Sequence, residues 1–333
     1  MSSLLLLVIF IVFLALIFDF LNGFHDAANS IATIVSTRVL KPHYAVMWAA
    51  FFNFIAILIF ETKVAATVGK GLVDPTIIDP VFILSALSGA IVWNLITWYY
   101  GIPSSSSHAL IGGLLGVALI KMGGFTAIQI MGVSKTLIAI IISPLTGFVL
   151  GVILMFCTIH IFFHVRRQKI DVVFRKLQLV SSALISIGHG ANDAQKTMGI
   201  ITVLLYSSGH LSGEFHVPPL VAFACYFVIA LGTLFGGWRI VRTMGSKITK
   251  LKPVNGFCAE TGAALTLFTA TAMGIPVSST HTITGAIVGV GSAQKSSAIR
   301  WTLARRIVWA WVITLPCAAL VSGSVWWIIN LFL

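Results

Sequence analysis

The chain has 333 residues, 58% of them hydrophobic and only 9% charged, with a mean hydropathy of +1.02. So little charge excludes a water-soluble domain and indicates an all-α polytopic membrane protein. The net charge of +12 invites a nucleic-acid partner, but sixteen of the 21 basic residues lie in four clusters between apolar runs, which marks membrane topology and excludes that reading.

Apolar runs of membrane length occur at 3–21, 43–60, 136–163, 218–238 and 307–329. The first, opening MSSLLLLVIFIVFLALIF, lacks the basic start and small-residue cleavage site of a secretory signal, so it reads as the first membrane helix. It runs on to residue 37 and is expected to break around Asn22–Asp26. The basic clusters follow in order: Arg38 and Lys41; Arg166, Arg167, Lys169, Arg175 and Lys176; Arg239, Arg242, Lys247, Lys250 and Lys252; then Lys295, Arg300, Arg305 and Arg306. Their short connections read as cytoplasmic, which puts both termini outside a multi-pass protein of the cell membrane. Cys157, Cys225, Cys258 and Cys317 lie singly in apolar segments without CxxC spacing, so they read as packing residues.

The chain contains itself twice. GIPSSSSHALIGG (101–113) and GIPVSSTHTITGA (274–286) share 7 of 13 positions. Upstream, NGFHDAANS (22–30) faces HGANDAQKT (189–197), aligning Gly23 with Gly190 and Asp26 with Asp193. The offsets, 173 and 167, differ by only six residues, so the halves are 1–165 and 166–333. Residues 257–292 hold two apolar stretches joined only by GIPVSSTH, with basic clusters on both flanks. Two full spans of about 20 residues each would need a real loop. The segment is therefore expected to enter and return as a re-entrant hairpin, and 81–121 is its partner by repeat. The expected architecture is two inverted-topology repeats, each with a broken helix and a re-entrant helical hairpin.

Each hairpin tip offers a helix start with free N–H groups and a positive dipole end, a recipe for holding an anion. Ser105, Ser106 and Ser107 add hydroxyls at one tip, and Ser278, Ser279 and Thr280 at the other. Two matching tips around a pseudo-twofold axis would clasp one compact oxyanion. His108 and His281 match each other and either orient the tips, shuttle a proton or serve structurally. A charge inside a membrane segment costs about 2.5–3.5 kcal/mol on insertion scales. Asp19, Asp26, Asp193, Lys196 and Glu260 are such residues. Asp26 and Asp193 are repeat mates in segments expected to be unwound, with Asn29 and Lys196 three residues on. They could hold a coupling cation, carry a proton or accept the hydrogen of a protonated phosphate. Lys196 could equally pair with an aspartate or contact the anion. Asp19 has no repeat mate and is left outside the site.

No GxSxG, HExxH, P-loop or GxGxxG is present, so the chain reads as no enzyme and calls for no cofactor. With no nucleotide site, an ion gradient is the natural energy source. The alternative of another class is a passive anion channel or exchanger built on the same tips.

At these residues the chain resembles the PiT family of inorganic phosphate transporters, through NGFHDAAN (22–29), GANDAQKTMG (190–199), IPSSSSH (102–108), GFCAETGAA (256–264) and IPVSSTH (275–281). The resemblance covers nearly the whole chain. It implies inorganic phosphate uptake driven by Na⁺ or H⁺, often by a homodimer. It also implies that Asp26, Asn29, Asn192 and Asp193, with Ser105–Ser107 and Ser278–Thr280, form the phosphate and cation sites. Sodium would then lie at Asp26, Asn29 and Asp193, and Glu260 in a further ion or gating site. One departure bears on coupling. Sodium-coupled members resemble NDVANA or NDVSNA in both halves, whereas the second motif here is NDAQKTMG. Lys196 stands where the first half has Asn29, and a fixed ammonium can take the electrostatic place of a sodium ion. Proton-coupled symport, of phosphate or of a neutral metal–phosphate complex as in bacterial relatives with this QK variant, is the expectation. Sodium coupling is the alternative.

Overall fold

The computed structural model describes residues 3–295, 297 and 299–332, with only the backbone of Lys295, whose side chain lies outside the described residues. Twelve α-helices make up this part of the chain: α1 (Ser3–Ser36), α2 (Pro42–Ile55), α3 (Lys63–Lys70), α4 (Pro80–Tyr100), α5 (Ser106–Met122), α6 (Ile130–Ile161), α7 (Arg167–Ser207), α8 (Pro219–Phe235), α9 (Trp238–Arg242), α10 (Pro253–Ala272), α11 (Ser279–Lys295) and α12 (Trp301–Leu331). Four of them, α1, α4, α6 and α12, are long and apolar enough to cross a membrane. Two more spans arise if bent pairs are counted: residues 42–58 with α3, bent by 85°, and α8 with 238–247, bent by 61°. Outward faces carry Ile141, Leu145, Val149, Val312 and Leu320, each at least half exposed. Apolar faces of this extent are those of a protein embedded in a membrane.

The breaks fall elsewhere than the sequence suggests. The expected interruptions at 22–30 and 189–197 do not occur, because α1 and α7 run straight through both segments. The glycines there serve close approach rather than unwinding. A Cβ on Gly23 would lie 2.1 Å from the Ile229 carbonyl oxygen of α8, and one on Gly190 would lie 2.4 Å from that of Asn53 on α2. Small residues let helix backbones meet where lipid supplies no hydrophobic drive. The bends sit instead in the helices that receive these glycines, after Leu58 and after Phe235.

The packing partners cross over between the two sequence repeats. Helix α1 lies on α8 and α2 on α7, while α5 lies on α12 and α6 on α11. Repeat mates do the same work on both sides. Gly112 and Gly116 of α5 press against the carbonyls of Leu315 and Ala319, as Gly285 and Gly289 of α11 press against those of Pro144 and Phe148.

Helices α4–α5 and α10–α11 pair as two helical hairpins at the expected positions, although α4, at 21 residues, is long enough to cross a membrane rather than only enter it. Their tips are set by matching chemistry. Gly101 at φ 65° and Gly274 at φ 69° take the left-handed conformation at each turn. Pro103 and Pro276 then block continued helix. Ser105 and Ser278 cap the next helix by accepting the N–H groups of His108 and His281, each at 3.2 Å.

The four basic clusters share one end of the molecule. An Arg175 guanidinium N–H donates to the Arg38 carbonyl at 3.0 Å, and the Arg300 N–H donates to the Ile248 carbonyl at 3.0 Å. A cavity of about 700 Å³ at that end is lined by Ser36, Pro42, Tyr100, Arg239, Arg242 and Lys247, among others. Away from that end, Lys121 pairs with Asp79, the residue that caps α4.

Candidate functional site

Helices α1 and α7 bring Asp26 and Asp193 to the meeting point of the two tips. All of the residues assembled there are sealed, none being more than 4% exposed. Asp193 Oδ2 accepts the Ser279 hydroxyl at 2.6 Å, and Oδ1 accepts that of Ser107 at 3.3 Å. Hence a single carboxylate touches both tips. Asp26 Oδ1 accepts Thr280 at 3.3 Å and His25 Nδ1 at 2.7 Å. The Asn29 amide donates to Ser279 and Thr280, each at 3.0 Å.

Lys196 forms the centre of this network. Its ammonium contacts Asp193 Oδ1 and donates to Ser107 Oγ at 2.5 Å and to the Val277 carbonyl at 2.7 Å. Those three partners belong to α7, the first tip and the second tip. A buried lysine is tolerable only with a counter-charge and its three hydrogens placed, and here both conditions are met.

The remaining hydroxyls divide by role. Ser105 and Ser278 act as caps through their lone pairs and keep their own hydrogens, whereas Ser107, Ser279 and Thr280 give theirs to Asp193 and Asp26. An anion at the free first-turn N–H groups of α5 and α11 would therefore compete with those carboxylates for the tip hydroxyls. Ser106 Oγ is buried and has no hydrogen-bond partner among the described residues. Behind the tips, the His108 and His281 rings meet edge-on with centroids 4.4 Å apart, and His281 stacks on Trp311 at 3.8 Å. Neither nitrogen of His108 has a hydrogen-bond partner among the described residues.

Asn192 sits in this region but is fully engaged in holding the second tip. Its amide donates to Thr271 Oγ1 at 3.0 Å and to the Ile275 carbonyl at 3.2 Å, while its oxygen accepts the Val277 N–H at 3.2 Å. Glu260 belongs to a separate cluster, where Thr33 and Ser181 donate at 2.5 Å and Gln178 at 2.9 Å. Thr33 lies one turn beyond Asn29 on α1, which is the link between this cluster and the tips.

A cation could be held by Asp26, His189 and Asp193, whose ligand atoms all lie within 4.8 Å of one another. Asn29 Oδ1 is a further buried acceptor with no partner among the described residues. His189 and His25 were missed by sequence reasoning. The signal was present, since His189 opens the repeated segment and His25 precedes Asp26 within its mate. Thr97 was also missed: it holds His25 Nε2 at 3.1 Å from α4, far away in sequence.

Residues 22–322 match the phosphate transporter family. A probable low-affinity inorganic phosphate transporter of Rhizobium meliloti is 62% identical over 95% of this chain and 95% of its own. One of the same description from Bacillus subtilis is 47% identical over 99% of both chains. A solved structure described as the sodium-dependent phosphate transporter superposes with a TM-score of 0.90 at 25% identity, covering 98% of this chain and all of that one. Two hydroxyl-bearing tips closing on buried carboxylates and a lysine are thus found in a chain that belongs to the phosphate transporter family, a multi-span membrane transporter of inorganic phosphate and not an enzyme.

Proposed function

We propose that this protein is a secondary active symporter that imports inorganic phosphate with protons by alternating access. Phosphate, free or as a neutral metal–phosphate complex, is clasped between Ser105–Ser107 and Ser278–Thr280, with Asp26, Asn29, Asp193 and Lys196 around it. The two halves, 1–165 and 166–333, act as inverted repeats whose hairpins re-enter the cell membrane from opposite sides. The shared end of the basic clusters supports a cytoplasmic face with both termini outside, and the crossed packing of repeat mates supports the inverted repeat. A homodimer is the assembly that the family resemblance suggests.

The observation that carries the coupling is Lys196. It stands at the repeat position of Asn29 and bridges both tips to Asp193. A tethered ammonium there supplies the positive charge that a sodium ion would otherwise bring, without being transported. Phosphate arriving at the tips competes for its hydrogens, which favours the anion where two carboxylates alone would repel it.

The test is uptake of labelled phosphate by proteoliposomes with Na⁺ and pH gradients imposed separately. Accumulation driven by the pH gradient alone, abolished by a protonophore, is the expected result. Full activity with Na⁺ alone at matched pH would overturn it, and equilibration without accumulation would mean a channel or exchanger. Lys196→Asn is expected to confer sodium dependence. Sodium coupling is the second reading, favoured by the Asp26, His189 and Asp193 cluster and by the likeness to a sodium-dependent phosphate transporter.

A further inference from the structure

Asp19 lies outside every cluster described so far. It is completely buried in the middle of α1. Its Oδ1 accepts the Thr197 hydroxyl at 2.8 Å, and its Oδ2 has no hydrogen-bond partner among the described residues. Three residues on, the buried Asn22 Oδ1 also has none. Positions 19, 22 and 26 follow one another along a single helix face. Two acceptors on adjacent turns, neither with a donor, lack one hydrogen between them. A proton on Asp19 Oδ2, donated toward Asn22, would satisfy both.

An ionised Asp19 would instead be a buried charge held by a single hydroxyl, and such a charge is expensive at membrane depth. The other buried acids differ from it. Asp193 has the Lys196 ammonium, Asp26 has His25, and Glu260 has three donors. The groups facing Asp19 supply no positive charge. Cys225 and Tyr226 from α8 and Asp193 from α7 are the titratable groups that act on it. The titratable side chains of α2 and α4 are His43, Tyr44, Tyr99 and Tyr100, and none of them bonds Asp19 among the described residues.

We propose that Asp19 is the proton-carrying carboxyl of this transporter, with Thr197 and Asn22 as its partners. The proposal rests on the proton-coupled reading above and names the site of that proton. The proton is taken up onto Oδ2 from one side of the membrane, is held there while the site is sealed, and leaves to the other side as the carboxyl ionises on contact with water. Asp19 suits this place geometrically. Thr197 directly follows Lys196 on α7, so the Asp19–Thr197 bond ties α1 to α7 one residue from the lysine. Because Lys196 keeps Asp193 neutralised, the requirement for a proton during sealing falls on the acid without a counter-charge.

The experiment compares wild type and Asp19→Asn in sodium-free proteoliposomes by two assays, phosphate counterflow and uptake under an inward proton gradient. One pH unit can drive about tenfold accumulation per coupled proton. Asp19→Asn is expected to keep counterflow and to lose that accumulation entirely. Wild-type accumulation in Asp19→Asn would overturn the proposal while leaving proton coupling in place, as would be the case if the Asn22 amide were turned to donate to an ionised Asp19. A wild type indifferent to the pH gradient would sink the coupling reading itself, and the proton role of Asp19 with it. Should the variant lose counterflow too, the infrared spectrum of the reconstituted protein decides. A protonated-carboxyl stretching band weakened by Asp19→Asn supports the assignment, and an unchanged band refutes it.

Discussion

Asp26 and Asp193 are repeat mates, yet Asp26 meets only the second tip while Asp193 meets both, and with different chemistry. Asp26 is reached by a histidine on its own helix and by Thr280. Asp193 is reached by a lysine, by hydroxyls from both tips and by His189 Nε2 at 3.2 Å. One substitution within the repeat, Asn29 against Lys196, accounts for most of this difference. Asn29 can only bridge Ser279 and Thr280 as a neutral donor, whereas Lys196 brings a full charge and reaches Ser107, Val277 and Asp193. The two tips share a left-handed glycine and a serine cap, but the charges around them differ, and the lysine stands on the α7 side.

The most forceful way to break this comparison is to remove each carboxylate. Asp193→Asn strands a buried ammonium, and removing one partner of a buried pair costs about 3–5 kcal/mol. Asp26→Asn strands no lysine, so its cost is nearer the roughly 1–3 kcal/mol of a lost buried hydrogen-bond partner. Thermal unfolding of the purified variants should therefore show a much larger fall for Asp193→Asn, together with loss of phosphate uptake. Adding Lys196→Met to Asp193→Asn should recover much of the stability without the transport. Equal falls for the two single variants would mean that the lysine does not set the asymmetry.

A second pair should behave alike, because it tests what the repeats share. Gly23→Ala and Gly190→Ala each drive a methyl group into a carbonyl of the facing bent helix. Overpacking of this kind costs about 1–3 kcal/mol, and both variants should lose stability by similar amounts in the same unfolding assay. A large loss in one alone would show that only one of the two crossings matters.

Much of this was legible in the sequence, for physical reasons. Glycine, proline and serine at fixed spacing dictate a left-handed turn, a helix stop and a cap, so both tips could be placed without coordinates. The same glycine signal misled at 22–30 and 189–197. Glycine serves both a break and a close crossing, and only the facing carbonyls of Ile229 and Asn53 show which is meant. The engagement of Lys196 with both tips was out of reach for a similar reason: Ser107 and Val277 lie 89 and 81 residues away in opposite directions. Asp19 was set aside for want of a repeat mate, although among the described residues its carboxyl is the buried acid with the fewest donors. Repeat symmetry finds what two halves share, and it passes over a group that only one half possesses.

The smallest expected effect separates the tips themselves. Ser105→Ala and Ser278→Ala each delete a cap, which costs about 0.5–2 kcal/mol. The anchors around the two caps differ. The second tip is also held by Thr67 on the Gly274 carbonyl, Asn192 at Ile275 and Val277, and Lys196 on the Val277 carbonyl. The first has Thr243 on the Gly101 carbonyl and Trp311 on the Pro103 carbonyl. Losing the cap should therefore loosen the first tip more. Amide exchange at His108 in Ser105→Ala should speed up by about fivefold, the equivalent of roughly 1 kcal/mol. Exchange at His281 in Ser278→Ala should rise less, because Asn192 and Lys196 still hold the residues before the helix. If His281 responds as strongly as His108, those anchors do not stiffen the second tip, and the asymmetry set by Lys196 stops at the carboxylates.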